Sequence, residues 1–248
     1  MTDLVKLRIL EFHVVHHCNL TCVGCSHFSP TSPTWLVAAQ DLERDVELAA
    51  ARLAPEYIHV LGGEPLLHPD LEALLPIVRR GFPLATIKLV SNGVLVPRRA
   101  DTLFPVLTDN AVLLSVSIYP RVKTDRERIA ELGTQHRVEV EFWVQNTFLD
   151  FIDPLGQSNP AESRAACPMQ DACNVRDGRL YPCPVTAWAD FGHLPFSVEN
   201  GVDLRDSPDA IRSVLDRGKI TTCCRFCIAS PERVPHTLGK PERIRSIQ

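Results

Sequence analysis

Short apolar runs that suit β-strands alternate with helical patterns over the first 150 residues of the chain. The strand-like runs are Leu7–Val15, Tyr57–Leu61, Leu84–Ser91, Ala111–Ile118 and Val138–Val144. The helical patterns are Asp41–Leu53, Asp70–Arg80, which Pro76 is expected to kink or shorten, and Lys123–Leu132, which Gly133 is expected to cap. Strand–helix alternation over short connections predicts right-handed β-α-β units and a parallel sheet. The fold class is therefore α/β, either an open doubly wound sheet or a complete or partial barrel.

The chain beyond residue 150 has a different pattern. Residues 153–160 have the composition of a linker, and Asn174–Tyr181 predicts a β-hairpin that turns at Asp177-Gly178. The basic and polar segment after Pro231 is expected to be loose. We therefore divide the chain into a first domain, residues 1–155, and a second domain, residues 156–248.

Composition excludes several classes of function. The 248 residues include 26 Lys and Arg against 30 Asp and Glu, a net charge of −4, which disfavours nucleic acid or an anionic membrane as the main partner. No apolar run approaches the roughly 20 residues that span a bilayer. The N-terminus lacks the basic and apolar regions of a secretory signal. We expect a cytoplasmic protein with no nucleic-acid or membrane partner.

Nine cysteines are many for a chain in a reducing compartment, where clustered thiols favour metal or redox sites over disulfides. Cys18, Cys22 and Cys25 follow the first strand with the spacing C-x3-C-x2-C, and no further cysteine occurs before Cys167. Three thiolates so close in sequence can bind one metal centre and leave one metal atom open to a small molecule. Zinc, which takes four ligands, stays an alternative because three histidines lie nearby, namely His16, His17 and His27.

Three motifs of the first domain, in the same order, resemble those of the radical S-adenosylmethionine (SAM) enzymes. The cysteine spacing after the first strand is one of them. Leu61-Gly62-Gly63-Glu64-Pro65 closes the second strand like the family's GGEP motif, whose backbone and Glu hold the methionyl amine. Ser91-Asn92-Gly93 closes the third strand like the family's (T/S)NG turn. The resemblance implies that the SAM-binding residues are Gly62, Gly63, Glu64, Pro65, Ser91 and Asn92, together with Ser115 and Ser117 on the fourth strand.

The resemblance implies a partial (β/α)6 TIM-like barrel followed by a small C-terminal cluster-binding domain. It implies that Cys18, Cys22 and Cys25 ligate a [4Fe–4S] cluster whose open iron binds SAM. The cofactor then yields a 5′-deoxyadenosyl radical that abstracts hydrogen from an unactivated C–H bond. A flavodoxin- or ferredoxin-type protein is the expected electron donor. The chain departs from the family at Gly24, where an aromatic residue usually precedes the third cysteine.

A second cysteine group lies in the last third of the chain. Cys167, ten residues, Gly178, four residues and Cys183 are followed by the pair Cys224-x2-Cys227. Four thiolates of this kind can form a closed site for zinc or an iron–sulfur cluster. The spacing resembles the twitch domain, a shortened form of the SPASM extension, which implies one auxiliary [4Fe–4S] cluster. Two thiols remain, Cys173 and Cys223, which could exchange ligand roles with Cys167 and Cys224, stay inert, or donate a hydrogen atom to a substrate radical.

The architecture resembles the twitch-containing aminocyclitol dehydrogenases of antibiotic biosynthesis. This likeness implies an oxidoreductase in which hydrogen leaves a carbinol carbon of a small polar substrate, a sugar, aminocyclitol or nucleoside-like molecule, and the auxiliary cluster accepts the second electron. Alternatives are an epimerase with a cysteine hydrogen donor, peptide maturation, carbon–heteroatom bond formation, or a non-catalytic zinc-stabilised binding module. Tyr119 and Gln145 are candidate substrate contacts, with His27 and Trp143 as further candidates. We expect a monomer.

Overall fold

The computed structural model describes residues 4–216 and 218–239, which form ten β-strands and seven α-helices. Up to residue 155 the elements are β1 (Val5–Val15), α1 (Ala39–Ala50), β2 (Leu53–Gly62), α2 (Leu71–Gly81), β3 (Thr86–Ser91), α3 (Ala100–Asp109), β4 (Val112–Ile118), α4 (Arg126–His136), β5 (Val140–Val144) and β6 (Thr147–Ile152). Beyond it they are α5 (Pro160–Ala165), β7 (Ala172–Arg176), β8 (Arg179–Tyr181), α6 (Pro184–Ala187), β9 (Val202–Asp203), α7 (Pro208–Leu215) and β10 (Cys227–Pro235).

Eight strands form one sheet in the order β5-β4-β3-β2-β1-β7-β8-β9. Strands β1 to β5 are parallel to their neighbours, and β7 is parallel to β1. Strand β8 pairs antiparallel with both β7 and β9. Six parallel strands with connecting helices confirm the predicted TIM-like α/β fold, as an open rather than a closed ring. Within the described ranges, no helix combines the length and the apolar character that a membrane crossing requires.

The two faces of the sheet have opposite chemistry. In β1, the side chains of Leu10, Phe12 and Val14 are buried in the main hydrophobic core, together with residues of α1 and α2. Because side chains alternate along a strand, Glu11 and His13 point to the other face, the interior of the partial barrel. This interior is polar. The site described below lies next to it, at the carboxyl ends of the parallel strands.

Two helices differ from the sequence prediction. Helix α3 was not predicted, and Pro105 stands inside it while Leu103, Phe104 and Leu107 are fully buried. Helix α4 does not end at Gly133 but continues to His136. Gly133 serves packing instead, because a Cβ at this position would lie 2.5 Å from Val140 Cγ2. Helix α2 also runs through Pro76 without ending there.

The second half of the chain completes the first. Strand β7 pairs with β1, so residues beyond 155 contribute to the main sheet. The hairpin β7–β8 turns at Asp177 and Gly178 as predicted, with φ of 52° and 74°. The expectation of a loose segment after Pro231 is wrong for the described part, because β10 pairs with β6 in a separate two-stranded sheet. Residues 240–248 lie outside the described residues.

Candidate active site

One cavity of about 370 Å³ opens at the carboxyl ends of the parallel strands. It brings together ten of the residues singled out in the sequence, which are Cys18, Cys22, Cys25, Gly62, Gly63, Ser91, Asn92, Ser117, Tyr119 and Gln145. Strand β6 adds Phe148, Leu149 and Phe151 to its wall, and Met169 and Arg233 come from later in the chain. The three motifs and both proposed substrate contacts therefore share one site.

The three cysteines of the first group are free and lie on the loop after β1. Burial raises the pKa of the Cys18 and Cys22 thiols to about 12. Burial acts in the same direction on Cys25, but hydrogen bonding to His27 and its charge outweigh it and lower the pKa of Cys25. The Leu20 N–H donates to Cys18 Sγ at 3.3 Å. A metal centre that binds here therefore replaces protons on thiols that are poorly hydrated.

Gly62 and Gly63 are required by a close approach between the ends of β1 and β2. A Cβ on Gly62 would lie 1.7 Å from the carbonyl oxygen of Val15, and one on Gly63 would lie 2.1 Å from that of His17. The Gly63 N–H donates to the Val15 carbonyl at 2.8 Å. Any side chain here would push apart the strand ends that carry the cysteine loop and the cavity wall.

Glu64 lies beneath the cavity and is fully buried. Its carboxylate accepts hydrogen bonds from Ser91 Oγ at 2.7 Å and from the N–H groups of Asn92 and Leu66 at 2.8 and 3.1 Å. Burial raises the pKa of Glu64 to about 7. The motif carboxylate thus ties the end of β2 to the end of β3, and its side chain does not line the cavity wall.

Two further predicted residues also lie off the cavity wall. Pro65 is buried at the start of a single 3-10 turn, Pro65–Leu67. Ser115 is buried on β4, two residues before Ser117, and its side chain interacts with Glu141. Ser115 lies on the same face of β4 as Ser117, which lines the cavity, whereas Pro65 lies outside the strands.

His236 is a site residue that sequence reasoning missed. Its Nε2 lies 3.2 Å from Cys22 Sγ, and its ring stacks on Tyr119 with centroids 4.7 Å apart. The segment around it is joined to the cysteine loop, since the Val23 N–H donates to the Thr237 carbonyl at 3.0 Å. More than 200 residues separate His236 from Cys22 along the chain, and no motif marks it.

Five cysteines of the second group line a smaller cavity beside the first, namely Cys167, Cys183, Cys223, Cys224 and Cys227. Cys173 is not among them: its side chain on β7 faces the main hydrophobic core and is 3% exposed. Neither Cys173 nor Cys223 lines the active-site cavity. Strand β7 turns Cys173 towards the main core, and Cys223 is buried in the second hydrophobic cluster, so a role of either thiol as hydrogen donor stays a prediction.

Comparison with known families identifies the machinery. The model of the Radical SAM superfamily matches residues 13–141, just over half of the chain. This chain belongs to the radical SAM superfamily. It is accordingly a radical SAM enzyme that uses SAM and a [4Fe–4S] cluster, and the predicted resemblance is confirmed.

Curated relatives of this radical SAM protein include GTP 3′,8-cyclases. That of Chlorobaculum tepidum is 29% identical over 126 residues, which cover 51% of this chain and 36% of the relative. GTP 3′,8-cyclase 2 of Mycobacterium bovis is 32% identical over 99 residues, which cover 38% and 27%. The chain thus spans about a third of the length of the curated relatives that it matches.

Solved structures match over nearly the whole radical SAM protein. BtrN in complex with AdoMet and 2-DOIA superposes with a TM-score of 0.56 at 17% identity, covering 94% of this chain and 98% of that chain. AnSMEcpe with bound AdoMet and Cp18Cys peptide gives 0.53 at 16% identity, covering 91% and 88%. At this level of identity the likeness concerns the fold.

Proposed function

We propose that the protein is an oxidoreductase that converts a secondary alcohol of a small polar natural-product intermediate, such as a sugar, aminocyclitol or nucleoside-like molecule, into a ketone. The observation that carries the proposal is the contact between the active-site cavity and the second cysteine group. Met169 lines the cavity, and its N–H donates to Cys167 Sγ at 3.4 Å. This contact supports the proposal, because an electron acceptor held by that group would lie close to the cavity wall.

The first cysteine group fits a [4Fe–4S] cluster with an open iron. Three free thiols face one cavity, and the cavity has room for a further small molecule. Its volume of about 370 Å³ is within the range of about 300–1,000 Å³ that is common for ligand pockets. Cys18, Cys22 and Cys25 are therefore the proposed ligands.

The second group fits a closed four-cysteine site. Cys167, Cys183 and Cys224 each receive a local hydrogen-bond partner, from Met169 N–H, Thr186 Oγ1 and Thr221 Oγ1, all at 3.4 Å. Cys223 Sγ is engaged elsewhere, between Asn200 Nδ2 at 3.4 Å and the Pro195 carbonyl at 3.8 Å. We therefore assign an auxiliary [4Fe–4S] cluster to Cys167, Cys183, Cys224 and Cys227.

SAM on the cluster that Cys18, Cys22 and Cys25 would hold would supply hydrogen-atom abstraction from the carbinol carbon, and the cluster that Cys167, Cys183, Cys224 and Cys227 would hold would accept the remaining electron. The hydroxyl proton leaves to a base or to solvent. The protein's own residues bind the cofactor. Gly62 and Gly63 give it access to the backbone, and Ser91, Asn92 and Ser117 offer it polar contacts. Tyr119 and Phe148 stack at 5.8 Å on the opposite wall and keep water out.

Two observations favour dehydrogenation over cyclisation of GTP and over epimerisation. The likeness to BtrN, a structure that holds AdoMet and 2-DOIA, extends over 94% of this chain, whereas the GTP 3′,8-cyclase of Chlorobaculum tepidum matches 51% of it. An epimerase requires a hydrogen donor at the substrate, and the thiols that line the cavity are those of Cys18, Cys22 and Cys25. The same proposal includes a flavodoxin- or ferredoxin-type donor, a cytoplasmic monomer and a functional boundary near residue 155.

Iron counting after anaerobic reconstitution tests the two metal sites. We expect about eight irons per chain in the natural protein and about four when Cys18, Cys22 and Cys25 are replaced by Ala. Replacing Cys167, Cys183, Cys224 and Cys227 by Ala is also expected to leave about four. Cys173→Ala is the matched control, since this buried thiol lies outside both sites, and it should keep the full iron content. Zinc in place of iron would instead indicate a metal-stabilised binding module.

Turnover tests the reaction. With SAM and dithionite we expect 5′-deoxyadenosine, which disappears in the variant without Cys18, Cys22 and Cys25. With an aminocyclitol alcohol we expect a ketone, and the variant without the second cysteine group should cleave SAM but form no ketone. GTP is the comparison substrate. Product from GTP alone, or an inverted alcohol in place of the ketone, would overturn the dehydrogenase assignment and leave the superfamily assignment intact.

A further inference from the structure

We propose that the interior of the partial barrel holds a further metal site, in which Glu11, His13 and His27 bind one divalent transition-metal ion. The site uses none of the cysteines, although His27 also interacts with Cys25 of the first group. Glu11 and His13 lie on the inward face of β1, and His27 lies on the loop just after Cys25. Among the described residues, these three form a group whose potential ligand atoms all lie within 4.8 Å of one another.

The distances suit a single ion. His13 Nε2 and His27 Nε2 each lie 3.8 Å from Glu11 Oε2. Ligand bonds of about 2.1 Å in a tetrahedral arrangement place neighbouring ligand atoms about 3.4 Å apart. Each histidine–carboxylate pair therefore needs to shorten by a few tenths of an ångström, and all three ligand atoms lie within 4.8 Å of one another. At 3.8 Å the pairs are too long for direct hydrogen bonds.

The two nitrogens that face Glu11 have no partner of their own. His13 Nε2 and His27 Nε2 are both buried and form no hydrogen bond. Buried polar atoms without partners are costly and rare in folded proteins. Here two of them converge on the same carboxylate oxygen, which is the arrangement expected when an ion occupies the point between them.

The second ring nitrogens of both histidines are already occupied, and Asn174 fixes the carboxylate oxygen that the histidines face. His13 Nδ1 pairs with His16 Nε2 at 2.9 Å, and His27 Nδ1 pairs with Ser26 Oγ at 3.3 Å. Glu11 Oε2 accepts a hydrogen bond from Asn174 Nδ2 at 2.9 Å. Metal-binding histidines are held in this way, with the second ring nitrogen bonded to a neighbour so that the first presents its lone pair.

The donor set points to the class of ion. Two imidazoles and one carboxylate suit zinc or ferrous iron, and they do not suit calcium or magnesium. His59 Nδ1 lies 3.8 Å from the other carboxylate oxygen of Glu11, outside the group of ligand atoms that lie within 4.8 Å of one another. His27 also lines the active-site cavity, so the ion would fix the cysteine loop to the floor of the barrel.

Zinc titration of the reconstituted holoprotein tests the site. We expect about one zinc per chain, with zinc-edge X-ray absorption showing nitrogen or oxygen scatterers at about 2.0–2.1 Å and no sulfur at about 2.3 Å. Glu11→Gln and His13→Gln should each lower zinc affinity at least tenfold. His136→Gln, which alters a histidine on α4, is the matched control and should bind zinc like the natural chain.

Two outcomes would overturn the proposal: no zinc bound beyond the cysteine sites, or sulfur scatterers around the zinc that is bound. The X-ray absorption measurement on the natural chain decides the question even if the Glu11 or His13 variants fail to fold. This inference does not depend on the dehydrogenase assignment. Iron content and SAM cleavage test that assignment, whereas zinc with nitrogen and oxygen ligands tests only the barrel site.

Discussion

Glu64 belongs to a motif of the active site, and it also stabilises the fold next to that site. Its carboxylate joins the ends of β2 and β3 through Ser91, Asn92 and Leu66, with every part of the side chain buried. The resemblance assigns this residue to the methionyl amine of SAM. The structure adds a second role, because any change at Glu64 also removes the hydrogen bonds that hold the strand end with Ser91 and Asn92.

Stability should fall with rising pH because of Glu64. Burial raises its pKa from the usual 4.5 to about 7, so between these values the folded chain keeps a proton that the unfolded chain releases. The contribution is present below pH 4.5 and is lost towards pH 7, by about 3 kcal/mol at most, at about 1.4 kcal/mol per pKa unit. We expect urea unfolding of the cluster-free protein to show this loss, and Glu64→Gln to lack it. Parallel pH profiles of the two proteins would contradict the assignment.

At the level of single residues, sequence reasoning succeeded where chemistry repeats in a fixed order. The cysteines and the strand-end motifs, taken together, predicted residues that line one common cavity. His236 and Met169 were not predictable in this way, because the fold brings each of them to the site from a part of the chain that is far in sequence from the motifs. His13 on β1 belongs to no motif, and His27, which completes the cluster with Glu11, comes from the loop after Cys25.

Among the secondary-structure elements, the junction of β1 and β2 depends on Gly63. A Cβ there would lie 2.1 Å from the His17 carbonyl oxygen and 2.4 Å from that of His16. Backbone atoms cannot rotate away, so the segment that leads to Cys18 must move. Gly63→Ala should therefore lower the iron content by about four per chain, the amount of one [4Fe–4S] cluster, and leave the second site loaded.

The control for Gly63→Ala is another glycine. At Gly218 a Cβ would meet only the Asp216 side chain, 3.3 Å away, and that side chain can turn aside. Gly218→Ala should keep the full iron content. An unchanged iron content in Gly63→Ala, measured on the same preparation, would show that the close approach of the two strands does not shape the cysteine loop.

Periodicity predicted the elements that are built from local sequence and failed where proline disguises them. The parallel strands and the Asp177-Gly178 hairpin follow from short runs and turn chemistry. Helix α3 was missed because Pro105 interrupts a pattern that its three buried residues otherwise support. Gly133 was assigned to a helix end because glycine is common there, while tight packing against Val140 is invisible in one sequence.

In the whole molecule, the two halves of the chain are interleaved. Strand β7 from the second half lies beside β1, and β10 pairs with β6. A hydrophobic pattern tells which face of a strand is buried but not which strand lies next to it. The division at residue 155 therefore separates the two cysteine groups but does not match the boundaries of the sheet. The consequence is that the first cluster site depends on the last described residues of the chain.

Residues 236–239 hold the first cysteine loop from outside. His236 contacts Cys22, the Thr237 carbonyl accepts from Val23 N–H at 3.0 Å, and Gly239 N–H donates to the Thr21 carbonyl at 2.7 Å. Removing residues 236–248 should therefore lower the iron content by about four, the first cluster, and abolish SAM cleavage, while the second cluster stays bound. Removing only residues 240–248 is the matched control, because these contacts remain, and it should keep both clusters. If the longer deletion also keeps both clusters, the loop is held by β1 and β2 alone, and the pairing with the C-terminal segment contributes nothing to cluster retention.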